Sequence, residues 1–153
     1  MDNPNEPTAD AAQRTERAAR AAAALFARDQ ASQALAMRIT DVGPGWAHVV
    51  MRVRADMVNG HGVCHGGLVF ALADSALAFA CNSHNEATVA AAASIDYLAA
   101  ALEGDELTAE ASELWRTRRN GLYEIIVSNQ RGERIALFRG RSYRIDGAVV
   151  GEE

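Results

Sequence analysis

Apolar residues recur at helical spacing in two long stretches of the chain. Residues 9 to 28 are rich in alanine and place Asp or Glu four positions before Arg, which predicts a helix with a thin apolar stripe. Residues 66 to 82 are apolar on every side and contain one charged side chain, Asp74. That pattern predicts a helix that is buried all round. A short helix is predicted over residues 30 to 35.

Alternation of apolar and polar residues predicts six strands, while residues 55 to 65 lack periodicity and form a loop. Arg119, Asn120 and Gly121 are predicted to form a hairpin turn, because Asn and Gly both accept positive φ. A sheet with one apolar face must cover that face, so we expect an α+β architecture with the sheet wrapped around the buried helix. The predicted strands are residues 37 to 42, 46 to 53, 88 to 98, 106 to 116, 122 to 128 and 134 to 145.

Length and composition predict one globular domain. The chain has 153 residues, of which 49% are hydrophobic. We expect a flexible tail over residues 1 to 10, a single domain over residues 11 to 146 and a C-terminal tail over residues 147 to 153.

The charge and the cysteines limit the partners and the location. A net charge of −5 gives no support to nucleic-acid binding. No segment has the ~18 consecutive apolar residues of a membrane span, and the N-terminus lacks the regions of a signal peptide. Two cysteines, Cys64 and Cys81, form no C-x-x-C pair, so we expect a reduced, cytoplasmic location.

Asp74 is the first candidate for chemistry. A carboxylate on an apolar helix costs on the order of several kcal/mol to desolvate unless it is partnered or near water. Burial also raises the pKa of such a group. Two interpretations stay open at this point: a structural carboxylate paired with Arg or with backbone donors, and a general base or nucleophile in a pocket.

The beginning of the same helix is the second candidate. Gly66 and Gly67 let the backbone approach a ligand closely. The first N–H groups of a helix lack internal partners and carry positive partial charge, which suits a carbonyl oxygen that gains negative charge. Tight packing at a junction between loop and helix is the alternative.

Two further interpretations of this region are weaker. His61, Cys64 and His65 are zinc-ligand types, but no second cluster supplies a third and fourth ligand, so no metal site is predicted. A nucleophilic pair of Cys64 and His65 lacks an orienting third group.

Basic residues are concentrated in the last third of the chain. Eight Arg and two Glu lie between Trp115 and Ile145, and the whole chain contains no Lys. Guanidinium groups suit phosphates, so this segment is either a dock for an anionic ligand such as coenzyme A or a set of solvated strand edges.

The pattern N-G-H-G-x-C-H-G-G at residues 59 to 67, followed by F-A-L-A-D at residues 70 to 74, resembles the PaaI group of hotdog thioesterases, which is linked to phenylacetate degradation. The resemblance covers roughly residues 35 to 143. It implies a long helix wrapped by a curved antiparallel sheet, with dimers that share a continuous sheet and tetramers built from them. The implied substrates are aryl- or arylacetyl-coenzyme A thioesters, in particular phenylacetyl- or hydroxyphenylacetyl-coenzyme A.

The resemblance also implies roles for five residues. Asp74 corresponds to the catalytic carboxylate, which acts as general base or nucleophile. Gly66 supplies the oxyanion-hole amide, with His65 beside it in the motif. Asn59 orients the thioester or the water, and Ser75 helps to place the water.

The coenzyme A belongs to the substrate, and no resident cofactor is implied. The predicted coenzyme A contacts are Gly67, Arg116, Arg118, Arg119 and Arg139. One departure from the group is Ala36, where relatives often have Gly.

Three other activities are considered beside this one. Related thioesterases share the H-G-G…D pattern and take medium or long fatty acyl chains. A non-catalytic acyl-coenzyme A-binding hotdog module is the second, and Asp74 argues against it. Hotdog hydratases place an Asp and a His five residues apart, and here Phe79 occupies the position of the His.

Helix geometry also predicts a site built from two chains. Gly66 and Asp74 are eight residues apart, so they lie ~12 Å apart along one helix. One thioester group cannot reach both. Two antiparallel copies of the helix across a two-fold axis bring Gly66 of one chain to Asp74 of the other.

Overall fold

The computed structural model describes residues 8–151, and six antiparallel strands and three α-helices make up most of that range. The helices are α1 (Ala9–Arg28), α2 (Gln30–Ala34) and α3 (Gly66–Cys81), with a 3-10 turn at Ala55–Met57. The strands are β1 (Arg38–Gly43), β2 (Trp46–Arg52), β3 (Thr88–Tyr97), β4 (Glu106–Arg116), β5 (Asn120–Ser128) and β6 (Arg134–Arg144).

The strands form one sheet in the order β1-β2-β4-β5-β6-β3, and α3 packs across its inner face. The core lies between them. Leu72, Leu77 and Phe79 of α3 are fully buried, as are Ile125 and Phe138 of the sheet. The predicted α+β architecture, with a helix covered by a curved sheet, is confirmed.

Small residues of the sheet allow the close approach of α3. Gly140 of β6 faces Leu77, and a Cβ at position 140 would lie 2.5 Å from Leu77 Cδ2. Ala47, Ala109 and Ala136 are fully buried on the same inner face. The helix can therefore lie against the backbone of the sheet, which fixes the depth at which its residues are held.

The prediction that α3 is buried all round is wrong for the single chain. Gly67 is exposed, and Ala71, Asp74 and Ala78 are only partly buried. These positions follow one another at the spacing of a helical stripe. The sheet covers one side of α3, and no element of the described residues fully covers this stripe.

The predicted hairpin between β4 and β5 is present, but its turn lies earlier than residues 119 to 121, and Asn120 and Gly121 do not belong to it. Both residues belong to β5, and neither has positive φ. The turn instead consists of Arg118 and Arg119. The Thr117 N–H donates to the Asn120 carbonyl (2.7 Å), and the Asn120 N–H donates to Thr117 Oγ1 (3.1 Å).

Packing explains the glycine at position 121. A Cβ there would lie 2.7 Å from Tyr123 Cε2 and 2.8 Å from Ser142 Oγ. The Thr117 side chain closes the turn, so the conformational freedom of glycine is not needed for it.

Ala36, the predicted departure from the resembling group, has a φ of 53°. This left-handed conformation costs an L-residue other than Gly about 1–2 kcal/mol. Ala36 ends the segment after α2, where its N–H donates to the Gln33 carbonyl (2.9 Å). The exposed position tolerates the strain without a clash.

The C-terminal end of α3 is fixed by polar contacts of the residues that follow it. Asn82 Nδ2 donates to the carbonyls of Ala78 and Thr88, both at 2.9 Å. His84 Nε2 lies 2.9 Å from Glu113 Oε2, which also accepts from the Tyr123 hydroxyl at 2.6 Å. Glu113 lies at a bulge of β4, so these contacts tie the helix end to the sheet.

Some described residues of the two predicted tails belong to a helix or contact the domain. Of the predicted N-terminal tail, residues 1–7 lie outside the described residues, and α1 begins at Ala9 with Thr8 as its cap. Val149 and Val150 contact the domain, since Arg28 donates to the Val149 carbonyl and Asn85 pairs with Val150. No helix within residues 8–151 has the length and apolarity that a membrane crossing requires.

Candidate active site

The beginning of α3 carries a backbone amide that makes no hydrogen bond to the described residues. His65 caps the helix, and its Nδ1 accepts from the Gly67 N–H at 3.0 Å. The next two amides, of Leu68 and Val69, donate to the His65 carbonyl. Within residues 8–151 the Gly66 N–H has no acceptor. Of the two predicted glycine amides, only that of Gly66 is therefore free to bind an oxygen.

This amide borders a recess of about 350 Å³. The walls are mostly apolar, with few polar groups, as is typical of sites for small organic ligands. The lining residues are Asn59, Val63, Cys64, Gly66, Val69, Tyr97, Leu98, Ala99, Ala100, Ala101 and Ile135.

Tyr97 holds the first turn of α3 from the end of β3. Its hydroxyl donates to the Gly66 carbonyl at 2.8 Å, and a Cβ at position 66 would lie 3.0 Å from Tyr97 Cζ. The sequence reasoning assigned no role to Tyr97. Nothing in the sequence around this aromatic residue, at the end of a strand, indicates that it contacts Gly66.

Asn59 offers a second donor to the recess. Its Oδ1 accepts from the backbone N–H groups of His61 (2.9 Å) and Val63 (3.3 Å). These two donors fix the orientation of the side-chain amide, because its oxygen must face them. The NH₂ group makes no hydrogen bond within the described part of the chain, so Asn59 can donate but not accept at the recess.

Asp74 lies in the middle of α3 and is partly buried. Within residues 8–151 it forms no hydrogen bond and no ion pair, so the interpretation as a paired structural carboxylate finds no partner there. Burial, and then the negative charge of Asp29, raise the pKa of Asp74 above its ordinary value. A carboxylate of this kind is a stronger base than a free one and has unused acceptor positions.

Ser75, the next residue, makes contact with the junction between α1 and α2. Its Oγ lies 2.8 Å from Ser32 Oγ, and Ser32 Oγ donates to Asp29 Oδ2 at 2.5 Å. Asp29 and Ser32 were not predicted as site residues. They lie more than forty positions before Ser75, and nothing in their local sequence marks them.

The free amide and the free carboxylate are far apart within one chain. Gly66 and Asp74 both belong to α3, and eight residues of helix separate them by ~12 Å along the axis. Asp74 does not line the recess. Each chain therefore carries two separate parts of a possible site, the Gly66 amide at the recess and the Asp74 carboxylate farther along α3.

Comparisons with known proteins agree with this fold and this motif. Residues 61–136 match the family described as the Thioesterase superfamily. The chain is 45% identical to the acyl-coenzyme A thioesterase PaaI of Escherichia coli over 84% of its own length and 92% of that protein. The chain belongs to the thioesterase superfamily.

Solved structures of relatives give the same result for this thioesterase. The PaaI protein from the phenylacetic acid degradation operon of E. coli matches with a TM-score of 0.87 and 43% identity, over 88% of this chain and 97% of that one. A variant of the phenylacetic acid degradation protein PaaI from Thermus thermophilus matches at 0.74 and 37%, over 76% and 100%. The resemblance to the PaaI group, the hotdog fold and the assignment as an enzyme are confirmed.

Three of the four arginines predicted to contact coenzyme A, Arg116, Arg118 and Arg119, line one small recess of the thioesterase chain, and Arg139 lies apart from them. Arg116 is paired with Glu86 at 3.2 Å, and Arg139 is paired with Glu124 at 2.9 Å. Arg118 and Arg119 form the turn between β4 and β5 and are exposed. They line a polar recess of about 110 Å³ together with Arg144. Gly67, the fifth predicted contact, uses its amide for His65.

The possible zinc ligands of the thioesterase do not converge. Cys64 is buried, and its thiol lies 3.7 Å from the His65 carbonyl, while His61 and His65 are exposed. In the described range, no group of three or more His, Cys, Asp or Glu side chains is placed to hold a metal ion. Burial raises the pKa of the Cys64 thiol, which disfavours the thiolate needed for a Cys64–His65 nucleophile.

Replacing Asp74 by Asn should stabilise the fold at neutral pH. The pKa of Asp74 is higher in the folded than in the unfolded state, so the folded chain binds the proton more tightly. The free energy of unfolding therefore falls as the pH rises from the pKa of Asp74 in the unfolded state toward its pKa in the folded state. This loss of stability persists at higher pH. Asp74→Asn removes this loss, so its Tm should exceed that of the wild type at pH 7, with the difference shrinking below about pH 4.

Asp56→Asn is the matched control. Arg54 lowers the pKa of the exposed Asp56 carboxylate, so removing this carboxylate should not raise the Tm. A Tm of Asp74→Asn at or below that of the wild type at pH 7 would contradict the prediction.

Proposed function

We propose that this thioesterase hydrolyses acyl-coenzyme A thioesters with compact aryl or arylacetyl groups, phenylacetyl- or hydroxyphenylacetyl-coenzyme A being the first candidates. The observation that carries the proposal is the unpaired Gly66 amide at the edge of an apolar recess. The identity to E. coli PaaI and the names of both PaaI structures support the choice of acyl group. With Cys64 and Cys81 as free thiols, we place the reaction in a reduced, cytoplasmic setting.

The recess suits a short acyl group. Its volume of about 350 Å³ exceeds that of one aromatic ring with a two-carbon linker, so a compact acyl group fits within it. Small side chains, Ala99 to Ala101, form one wall, and Val69 and Ile135 lie among the other lining residues. Medium or long fatty acyl thioesters are the alternative substrates.

Two N–H donors would bind the carbonyl oxygen of the thioester. The Gly66 amide carries the positive partial charge of a helix N-terminus, and the Asn59 NH₂ group borders the same recess. Negative charge that develops on the oxygen in the transition state strengthens both hydrogen bonds, which lowers the barrier to attack. Tyr97 and His65 contribute by fixing the turn from which the amide projects.

Asp74 acts as the general base in this proposal. The carboxylate takes one proton from a water molecule while the water oxygen bonds to the acyl carbon and the carbonyl π electrons move to the oxygen. When the carbonyl re-forms, the carbon–sulfur bond breaks, and the proton on Asp74 passes to the sulfur. The products are the free acid and the coenzyme A thiol. Direct attack by Asp74, through an acyl anhydride, is the alternative.

The site is completed by a second copy of the chain. β3 lies at an edge of the sheet, and eight of its ten residues are exposed. A long open edge strand favours pairing with another chain. Antiparallel pairing of two β3 strands would place the partly exposed stripes of the two α3 helices side by side, with Gly66 of one chain facing Asp74 of the partner subunit. Tetramers built from such dimers stay a prediction.

The same two-fold arrangement suggests how coenzyme A would be bound. In one chain the β4–β5 turn lies near the beginning of β3, while the Gly66 recess lies at its end. Antiparallel pairing would bring the partner's turn to the recess. We therefore assign the phosphate contacts to Arg118 and Arg119, because Arg116 and Arg139 are held by glutamates.

Asp74→Asn should fold and lose turnover by ~10²–10⁴-fold, since the amide cannot accept the proton of the water. The measurement is thiol release from phenylacetyl-, benzoyl-, hexanoyl- and palmitoyl-coenzyme A. The proposed class requires that the aryl and arylacetyl thioesters have the highest kcat/KM. Asp56→Asn serves as a control with the same change of charge. If the wild type releases no thiol from any of them yet binds them, the non-catalytic acyl-coenzyme A-binding module is correct.

Arg118→Ala and Arg119→Ala should each raise KM for coenzyme A thioesters about threefold at low salt, because exposed charge pairs contribute up to about 1 kcal/mol. High salt should reduce the effect by screening. Acyl thioesters of N-acetylcysteamine lack the phosphates, so their KM should not change in either variant. The matched control is Arg139→Ala, which removes an arginine that is not assigned a phosphate contact. Equal KM values for wild type and both variants at low salt would exclude this dock.

Mixed dimers test the two-chain site. Asp74→Ala removes the base, and Gly66→Pro removes the amide proton at a helix position that tolerates proline, although Tyr97 must shift because its Cζ would lie 3.0 Å from the new Cβ. In a mixed dimer with a shared site, one site carries both changes and the other carries none. With random pairing about half of the dimers are mixed, so co-expression of the two inactive variants should restore about a quarter of the wild-type sites. Inactive mixed dimers, identified by two different affinity tags, would refute the shared site.

A further inference from the structure

A chain of hydrogen bonds connects the α1–α2 junction to the residue that follows Asp74. Asp29 Oδ1 accepts from the Ser32 N–H at 2.9 Å, and Asp29 Oδ2 accepts from the Ser32 hydroxyl at 2.5 Å. Ser32 is buried, and its Oγ lies 2.8 Å from Ser75 Oγ. The three side chains come from α3 and from the beginning of α2, elements that are adjacent only in the fold.

Counting protons sets the direction of this chain. An ionised carboxylate only accepts, and an O···O distance of 2.5 Å is typical of a hydroxyl that donates to a carboxylate. The single proton of Ser32 is therefore used for Asp29. Ser75 must then donate its own proton to Ser32 Oγ. What remains on Ser75 Oγ is acceptor capacity alone.

Asp74 and Ser75 are consecutive residues of α3, and both are partly exposed. As a carboxylate without a partner in residues 8–151, Asp74 also offers acceptors only. A water molecule between two acceptors donates one proton to each and keeps a lone pair free for attack. Resting on the hydrolysis proposed above, we infer that Asp29 is a positioning residue that, through Ser32, holds Ser75 as the acceptor for the second proton of the attacking water.

An Asn at position 29 would invert the chain while it preserves the fold. Asp29 is the N-cap of α2, and Asn caps a helix as well as Asp does. With Oδ1 on the Ser32 N–H, the new NH₂ group would donate to Ser32 Oγ. The Ser32 proton then turns to Ser75, and the Ser75 proton turns toward the site. The water loses its second acceptor.

The test is the kcat of Asp29→Asn on the plateau of the pH profile, where Asp74 is ionised in every variant. We expect kcat to fall about threefold to tenfold, as for the loss of one hydrogen bond in the transition state, with KM unchanged and Tm not lowered. Ser75→Ala leaves the charge of Asp29 in place and should lose as much. The double variant should lose no more than either single variant, because both act through one acceptor.

Asp41→Asn controls for the change of charge. Asp41 lies on β1, and within the described residues its side chain forms a hydrogen bond only with the backbone N–H of its neighbour. A wild-type plateau kcat in Asp29→Asn, or losses that multiply in the double variant, would overturn the inference while Asp74→Asn still lacks turnover. A wild-type chain that hydrolyses no acyl thioester would overturn the proposed function itself, and Asp29 would then have no reaction to serve.

Discussion

His65 accepts a hydrogen bond from the amide of Gly67 and leaves the amide of Gly66 unpaired. The rest of the site depends on this choice, because an N-cap side chain satisfies only one of the orphan donors of a helix. Gly66 has no side chain to cover its own amide, and Tyr97 fills the space where a Cβ would stand. The donor is thus held rigidly, and the helix dipole adds to its strength.

The carboxylate side of the site is held at a cost in stability. Asp74 is half-buried on an apolar helix, and the nearby charge of Asp29 disfavours its ionisation further. A purely structural position would pair such a group or replace it. The packing of Leu72, Leu77 and Phe79 against the sheet holds the helix regardless, so the fold can keep an ionisable carboxylate in an unfavourable environment.

The sequence indicated the elements because these depend on local patterns, and a local motif singled out Gly66 and Asp74, whose roles stay predictions. The helical stretch at α3, the strand alternation and the N-G-H-G-x-C-H-G-G motif are each contained within a few turns or one strand. The turn at residues 117 to 120 was misplaced because the Thr117 side chain closes it, while Gly121 serves packing against Tyr123 and Ser142.

The residues that sequence reasoning missed share a different property. Tyr97 contacts Gly66 across 31 positions, and Ser32 contacts Ser75 across 43. Such pairs depend on which elements the topology brings together, and neither periodicity nor residue type records that.

The all-apolar character of α3 is best explained by the two exposed features of the single chain. A helix that is covered by a sheet on one side needs apolar residues only there, yet Gly67, Ala71 and Ala78 continue the apolar surface beyond the sheet. β3, at the sheet edge, leaves most of its residues exposed as well. Both features make sense if a second copy covers them, and small residues on the stripe let two helices approach closely. In the dimer proposed above, the opposite helix would bring to Asp74 the Gly66 amide that its own chain places ~12 Å away, which would explain why Asp74 lies on that stripe.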